Sequence, residues 1–279
     1  MSSNNKMQYV RLGNTGMKNA SKAEWVKGEE ESIEVIKEAY NVSINFFDMA
    51  DVYSNGESER ILDKALKGLN VPRSRVVIAP KVFSPMFPET DRSGAVDLSL
   101  DSGMVNKFGL SRKHIMDACD ASLKRLGVDY IDLYQIHRLD TETPMKKIME
   151  ALNDLVRIGK VRYIGCSFIF IWRFVKLNHI AEKNGWAKFV SMQNLYNLLY
   201  REEHDEIVER VAQVAKKLNA TPTQVALACK YTKPYVIAPI VGASKSKQLY
   251  DLIGALDLTP SEEDVKYLEE SYVPKAAIV

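Results

Sequence analysis

A chain of 279 residues, 46% apolar and 27% charged, with a formal net charge of +2, has the make-up of a globular protein with a sizeable core. No cluster of basic residues stands out, which excludes a nucleic acid or other polyanion as the expected partner. No apolar run approaches the roughly 20 residues that span a membrane, so no membrane partner is expected either. Cys119, Cys166 and Cys229 have no metal-like spacing, and Met1 to Lys6 lacks the apolar core of a signal peptide. These features predict reduced thiols, no metal and a cytoplasmic setting.

In chain order, Tyr9 to Leu12 reads as a short strand leading through Gly13-Asn14-Thr15-Gly16 into a hairpin that ends near Lys18. A helix follows from about Glu29, with acids in its first turn and Ile33, Ile36 and Tyr40 on one face. Ile44 to Asp48 is a strand ending on an acid, Glu57 to Lys67 a helix, and Arg75 to Ala79 a strand that runs into Pro80-Lys81. Val82 to Gly109 has no sustained period, and a loop of that length inside a domain is usually functional or disordered. Ser111 is a plausible N-cap for the next helix. Tyr130 to His137 is a mostly apolar β-run with helical patterns on both sides, as expected of a strand buried in a parallel sheet. Thr143-Pro144 opens another helix; Val161 to Gly165 and Phe189 to Gln193 are strands, separated by a helix from about Arg173 to Asn184. Helical patterns then run from Glu203 to Lys217 and from Thr221 to Lys230 without a strand between them. Tyr235 to Val241 reads as a last strand before two closing helices, about Lys247 to Leu256 and Ser261 to Glu270.

The alternation of strand and helix argues for a parallel sheet with crossover helices, and the length suits a single domain of the barrel type, which takes roughly 250 residues. The C-terminal ends of parallel strands share one face, so Asp48, Lys81, His137, Ser167 and Gln193 gather at a common mouth, with Tyr53 just beyond Asp48. The set makes chemical sense. A tyrosine hydroxyl is a weak acid with an ordinary pKa of about 10. A nearby ammonium favours the phenolate, an aspartate can hold the ammonium, and a neutral histidine can donate a hydrogen bond to a carbonyl. Each residue alone has a plainer explanation as a turn acid, a loop aromatic or a solvated strand end. Four of them at successive strand ends suit protonation of a carbonyl oxygen.

The run Phe47-Asp48-Met49-Ala50-Asp51-Val52-Tyr53 through Glu59 resembles the first catalytic signature of the aldo-keto reductases, and Leu123 to His137 resembles the second. Gly242 to Leu249 is similar to that family's adenosine-phosphate segment, and Arg11 to Gly16 to the hairpin that plugs the barrel bottom. His137 to Asp140 and Gly109 to His114 resemble the fungal aryl-alcohol-dehydrogenase-like branch.

The resemblance implies a (β/α)8 barrel of the TIM type over residues 1–279, with a hairpin plug at about 8–18. It implies NADPH-dependent reduction of an aldehyde or ketone, aromatic aldehydes being the favoured small-molecule substrate. By position, Tyr53 is the general acid, Lys81 lowers its pKa, Asp48 pairs with Lys81 and His137 orients the carbonyl. Ser167 and Gln193 hold the nicotinamide carboxamide, and Tyr196 stacks on its ring. Ser244, Lys245, Gln248 and Asp251 grip the adenosine portion.

Two expected parts of that barrel are not recognisable. Met17-Lys18 passes into polar Asn19 to Ala23 where the first barrel strand belongs, and Glu203 enters a helix where the seventh strand and the pyrophosphate strap belong. Met49 and Pro80 stand where the family has threonine, Phe168 where it has Asn or Ser, and Leu252 where it has Asn. Apolar side chains cannot replace the lost hydrogen bonds. The barrel is therefore expected to be incomplete. An impaired or non-catalytic relative, as a shortened variant or a nucleotide- or partner-binding descendant, is the alternative function.

Overall fold

The computed structural model describes residues 9–11, 27–86, 106–194 and 204–270. Local chemistry sets most element ends. In α3 (Arg112–Leu126) the Ser111 hydroxyl accepts from the His114 N–H at 3.2 Å, and Gly127 closes the helix at φ 61°. In α7 (Pro222–Tyr231) Thr221 and Gln224 form a reciprocal capping box with proline at the first turn. Ser261 and Asp264 do the same for α9 (Glu262–Glu269). The apolar stripe of α4 (Met145–Arg157) turns Ile148, Met149, Leu152 and Leu155 fully inward.

Eight parallel strand segments make two four-stranded sheets. One has β3 (Val77–Ala79), β2 (Phe46–Asp48), β1 (Tyr9–Arg11) and β8 (Ile240–Gly242) in that order. The other has β4 (Lys81–Val82), β5 (Ile131–Ile136), β6 (Val161–Ser167) and β7 (Phe189–Gln193). Segments β3 and β4 are one strand interrupted at Pro80, which has no N–H to give a ladder. Its first half pairs with β2 and its second with β5, so the two sheets form one arc joined at this break. The Gln135 N–H still donates to the Pro80 carbonyl at 3.0 Å, and the His137 N–H to Val82 at 2.9 Å. Asp132 braces the joint from below the mouth, its carboxylate accepting from the Ile78 N–H at 2.9 Å and from Arg73 at 2.5 Å.

The helices pack on the outer face of this arc. One apolar cluster lies between β4 to β7 and the helices α3, α4 and α5 (Ile171–Asn184). A second joins β2 and β3 to α1 (Glu29–Asn41), α2 (Glu57–Gly68) and α8 (Ser246–Gly254). A third unites α6 (His204–Lys217), α7 and α9.

Two differences from the sequence reading stand out. Tyr9–Arg11, expected as the first arm of a hairpin plug, instead runs parallel between β2 and β8, where a first barrel strand belongs. The return arm falls outside the described residues. The strand expected over Tyr235 to Val241 forms only at Ile240–Gly242, and Tyr235 and Ile237 are 68% and 92% exposed. Among the described residues no strand lies between β7 and β8. Among the described residues the barrel is incomplete, as expected, with its opening between β7 and β8.

Asp132→Ala should lower unfolding free energy by about 1–3 kcal/mol, because it leaves the Ile78 amide without its acceptor and takes the carboxylate from the Arg73 guanidinium, which keeps only the Val76 and Tyr130 carbonyls. Urea titration of the variant against the parent measures this.

Candidate active site

At the C-terminal edge of the arc, the buried pair of Lys81 and Asp48 spans the joint between the sheets. Both residues are 1% exposed. Lys81 Nζ donates to Asp48 Oδ2 at 2.5 Å and to the Met49 carbonyl at 3.2 Å. Removing two charges from water costs several kcal/mol, which only close geometry and further hydrogen bonds offset. The second oxygen, Asp48 Oδ1, accepts from Gln135 Nε2 at 3.1 Å, and the same amide donates to the Ala79 carbonyl at 3.3 Å. Gln135 was not singled out from the sequence. The available signal was its spacing: two residues before His137 on one strand, it faces the same side of the sheet.

Tyr53 follows β2 by a short turn and is 7% exposed. Its ring centroid lies 5.7 Å from Lys81 Nζ and 5.7 Å from the His137 ring, the two rings edge to face at 83°. The turn is tight: Ser54, Asn55 and Gly56 have φ of 49°, 53° and 83°, all left-handed. Such conformations in non-glycine residues cost on the order of 1–2 kcal/mol each and persist only where surroundings impose them. At Gly56 a Cβ would meet the Arg125 side chain at 2.8 Å, so both backbone and space require glycine. Beyond the strand, the Asp140 carboxylate ties the His137 loop to the start of α3, accepting from the amides of Leu110, Glu142 and Thr143 and from the Thr143 hydroxyl. Partial burial works to raise its pKa, but these four donors outweigh it and hold the carboxyl below its ordinary range.

The remaining expected site residues fall into two groups. Ser167 and Gln193, at the ends of β6 and β7, are adjacent, with Ser167 Oγ donating to Gln193 Oε1 at 3.4 Å. Phe168 beside them is in the left-handed region at φ 54° and lies under the Arg138 guanidinium at 5.2 Å. Across the opening, Gln248 Oε1 accepts from both the N–H and the hydroxyl of Ser244 at the head of α8, where Lys245 is exposed. Asp251 accepts from the Thr221 hydroxyl at 2.9 Å and thereby ties α8 to α7. Tyr196 lies outside the described residues. Asp48, Tyr53, Lys81 and His137 are thus brought together, Ser167 and Gln193 form a second pair, and Ser244, Lys245 and Gln248 a third group.

A sequence profile of the Aldo/keto reductase family matches residues 12–213 and 201–273. The chain is 38% identical to versiconal hemiacetal acetate reductase of Aspergillus parasiticus, over 97% of this chain and 98% of that protein. It is 36% identical to an aldo-keto reductase of Alternaria alternata, over 95% and 91% of the two chains. It is also 38% identical to a Schizosaccharomyces pombe protein provisionally named aryl-alcohol dehydrogenase, over 98% of each. These alignments extend over 343, 339 and 348 positions, more than the 279 residues present, so the relatives carry segments that this chain lacks. The two profile segments overlap at residues 201–213, most of which belong to helix α6.

Gln135→Leu keeps the strand apolar but removes the donor to Asp48 Oδ1. It should cost about 1–3 kcal/mol in unfolding free energy. Lys81→Met, which strands a buried carboxylate, should cost about 3–5 kcal/mol. Chemical denaturation of both variants gives the order directly.

Proposed function

The chain belongs to the aldo/keto reductase family, and on that premise we propose that it reduces an aldehyde or ketone to the alcohol with NADPH as the hydride donor. The observation that carries this reading is the buried Lys81–Asp48 pair beside a nearly buried Tyr53, with His137 edge-on to the same ring. NADPH, when bound, supplies the hydride for the carbonyl carbon. Tyr53 gives its hydroxyl proton to the carbonyl oxygen, so the product carries one new C–H and one new O–H bond. The Lys81 ammonium favours the phenolate left behind, and Asp48, clamped by Gln135, holds that ammonium in place. His137 donates a hydrogen bond that orients the carbonyl.

The residues present suit the cofactor. The Ser167–Gln193 pair offers the donors and acceptors a carboxamide needs, with Tyr196 as the stacking partner. Ser244, Lys245 and Gln248 suit the adenosine phosphate, since a helix N-terminus with an exposed lysine favours an anion. In this reading Asp251 contributes by fixing α8 against α7. Aromatic aldehydes are the proposed substrate class, on the likeness to proteins named for aryl-alcohol dehydrogenase. A reducing, cytoplasmic setting fits the three buried thiols, which burial pushes up to about 12, 12 and 11 at Cys119, Cys166 and Cys229. A single barrel domain over residues 1–279 completes the proposal.

One observation favours a second reading, a family member that no longer holds the cofactor. The two cofactor groups flank the opening between β7 and β8. There the lost strand and strap would have connected them.

Titration with NADPH followed by aldehyde-dependent NADPH oxidation separates the readings. Under the first, the chain binds NADPH and turns over. Tyr53→Phe lowers kcat by about 10²–10⁴-fold, the usual contribution of a general acid, and leaves NADPH affinity intact. A Tyr53→Phe variant as fast as the parent removes Tyr53 from the role of acid. A parent that unfolds cooperatively but does not bind NADPH establishes the second reading.

A further inference from the structure

Behind the Tyr53 turn lies a group of buried polar atoms that the reduction does not use. Asp51, 1% exposed, donates its N–H to the Lys81 carbonyl at 3.1 Å, and its Oδ1 accepts from the Val52 N–H at 2.7 Å. Glu59, 0% exposed, gives Oε2 to Arg125 Nε at 2.5 Å, and Arg125 also donates to Ser122 Oγ at 3.1 Å. Tyr134, 0% exposed, points from β5 into the layer below α3. Three atoms of this group have no hydrogen-bond partner among the described residues: Asp51 Oδ2, Glu59 Oε1 and the Tyr134 hydroxyl. They come from the turn, α2 and β5, and Asp51, Glu59 and Arg125 all lie within electrostatic reach of the Tyr134 hydroxyl.

Three orphaned polar atoms in one buried neighbourhood are costly, about 1–3 kcal/mol each, unless something satisfies them. Two facing carboxyl groups, both acceptors when ionised, also require a hydrogen to be supplied between them. Buried waters typically make about three hydrogen bonds to groups that otherwise lack partners. We propose that Asp51, Glu59 and Tyr134 enclose an internal water site behind the Tyr53 turn, in which Asp51 is the uncharged, proton-donating carboxyl and Glu59 remains paired with Arg125. The water links the turn to β5 and α2, and Asp51 joins that link to the Lys81 strand through its own N–H.

Electrostatics agrees with this assignment. Burial, and secondarily the Glu59 charge, push the Asp51 carboxyl up to about 8 against an ordinary 3.8, while the Val52 N–H and Arg125 act the other way. The groups that face it are Glu59 from α2, Arg125 from α3, Tyr134 from β5 and the Lys81 backbone from β4; Cys119 of α3 in turn faces Tyr134. The native state thus keeps a proton that the unfolded chain releases near pH 4. The stability this gives is full below pH 4 and is lost as pH rises through about 8.

Two measurements on the full chain test the site. Asp51→Asn mimics the uncharged carboxyl at every pH, so the folding constant of the variant relative to the parent should rise by about tenfold per pH unit, or about a hundredfold between pH 5 and 7. A ratio that does not change with pH overturns the assignment of the proton. A crystal structure of the parent, which does not depend on the variant folding, should show one water within hydrogen-bond distance of Asp51 Oδ2, Glu59 Oε1 and the Tyr134 hydroxyl. Direct contact between these side chains, or a dry site, overturns the water.

Discussion

The ammonium of Lys81 and the carboxylate of Asp48 meet where the strand carrying Lys81 breaks at Pro80, and the rest of the mouth is built around that meeting. Asp48 belongs to one sheet and Lys81 to the other, so the pair is a cross-brace as well as a charge centre. Its burial forces further hydrogen bonding, which Gln135 and the Met49 carbonyl provide. The same burial excludes water from the charges and strengthens their field at Tyr53. One interaction therefore holds the two half-arcs together and prepares the chemistry proposed for the site.

Much of this was legible from residue order. The β-run ending at His137, the helix opened by Thr143-Pro144 and the cap at Ser111 are local patterns, and local patterns have local readings. The gathering of Asp48, Lys81 and His137 follows from parallel strands sharing an edge. What escaped depends on distant partners. Gln135 is an ordinary polar residue until Asp48, from another strand, is placed opposite it. Tyr9–Arg11 reads as half a hairpin until β2 and β8 are seen to leave a space between them. Tyr235 to Pro239 has the composition of a strand but does not form one, and composition alone carries no information about neighbours.

The opening between β7 and β8 divides the structure by consequence. The residues proposed to place a proton beside a carbonyl lie on strands β2 and β4, just past the end of β5 and in the turn after β2, far round the arc from the opening. The residues proposed to hold the cofactor lie on β6, β7 and the head of α8, on either side of it. An opening there leaves the proposed acid untouched and bears on the proposed cofactor residues. That separation is how the proposed catalytic residues and, among the described residues, an open barrel coexist in one chain.

The pairing of Tyr9 with Ile240 has a consequence for how the molecule is assembled. Segments β5, β6 and β7 with α3, α4 and α5 follow one another in the chain and make their contacts over short loops. The β1–β8 ladder instead closes a loop that includes nearly the whole chain, and such closure is entropically slow. Contact order thus makes the His137 half of the arc the natural nucleus, and the β1–β8 seam the last part to form and the first to open.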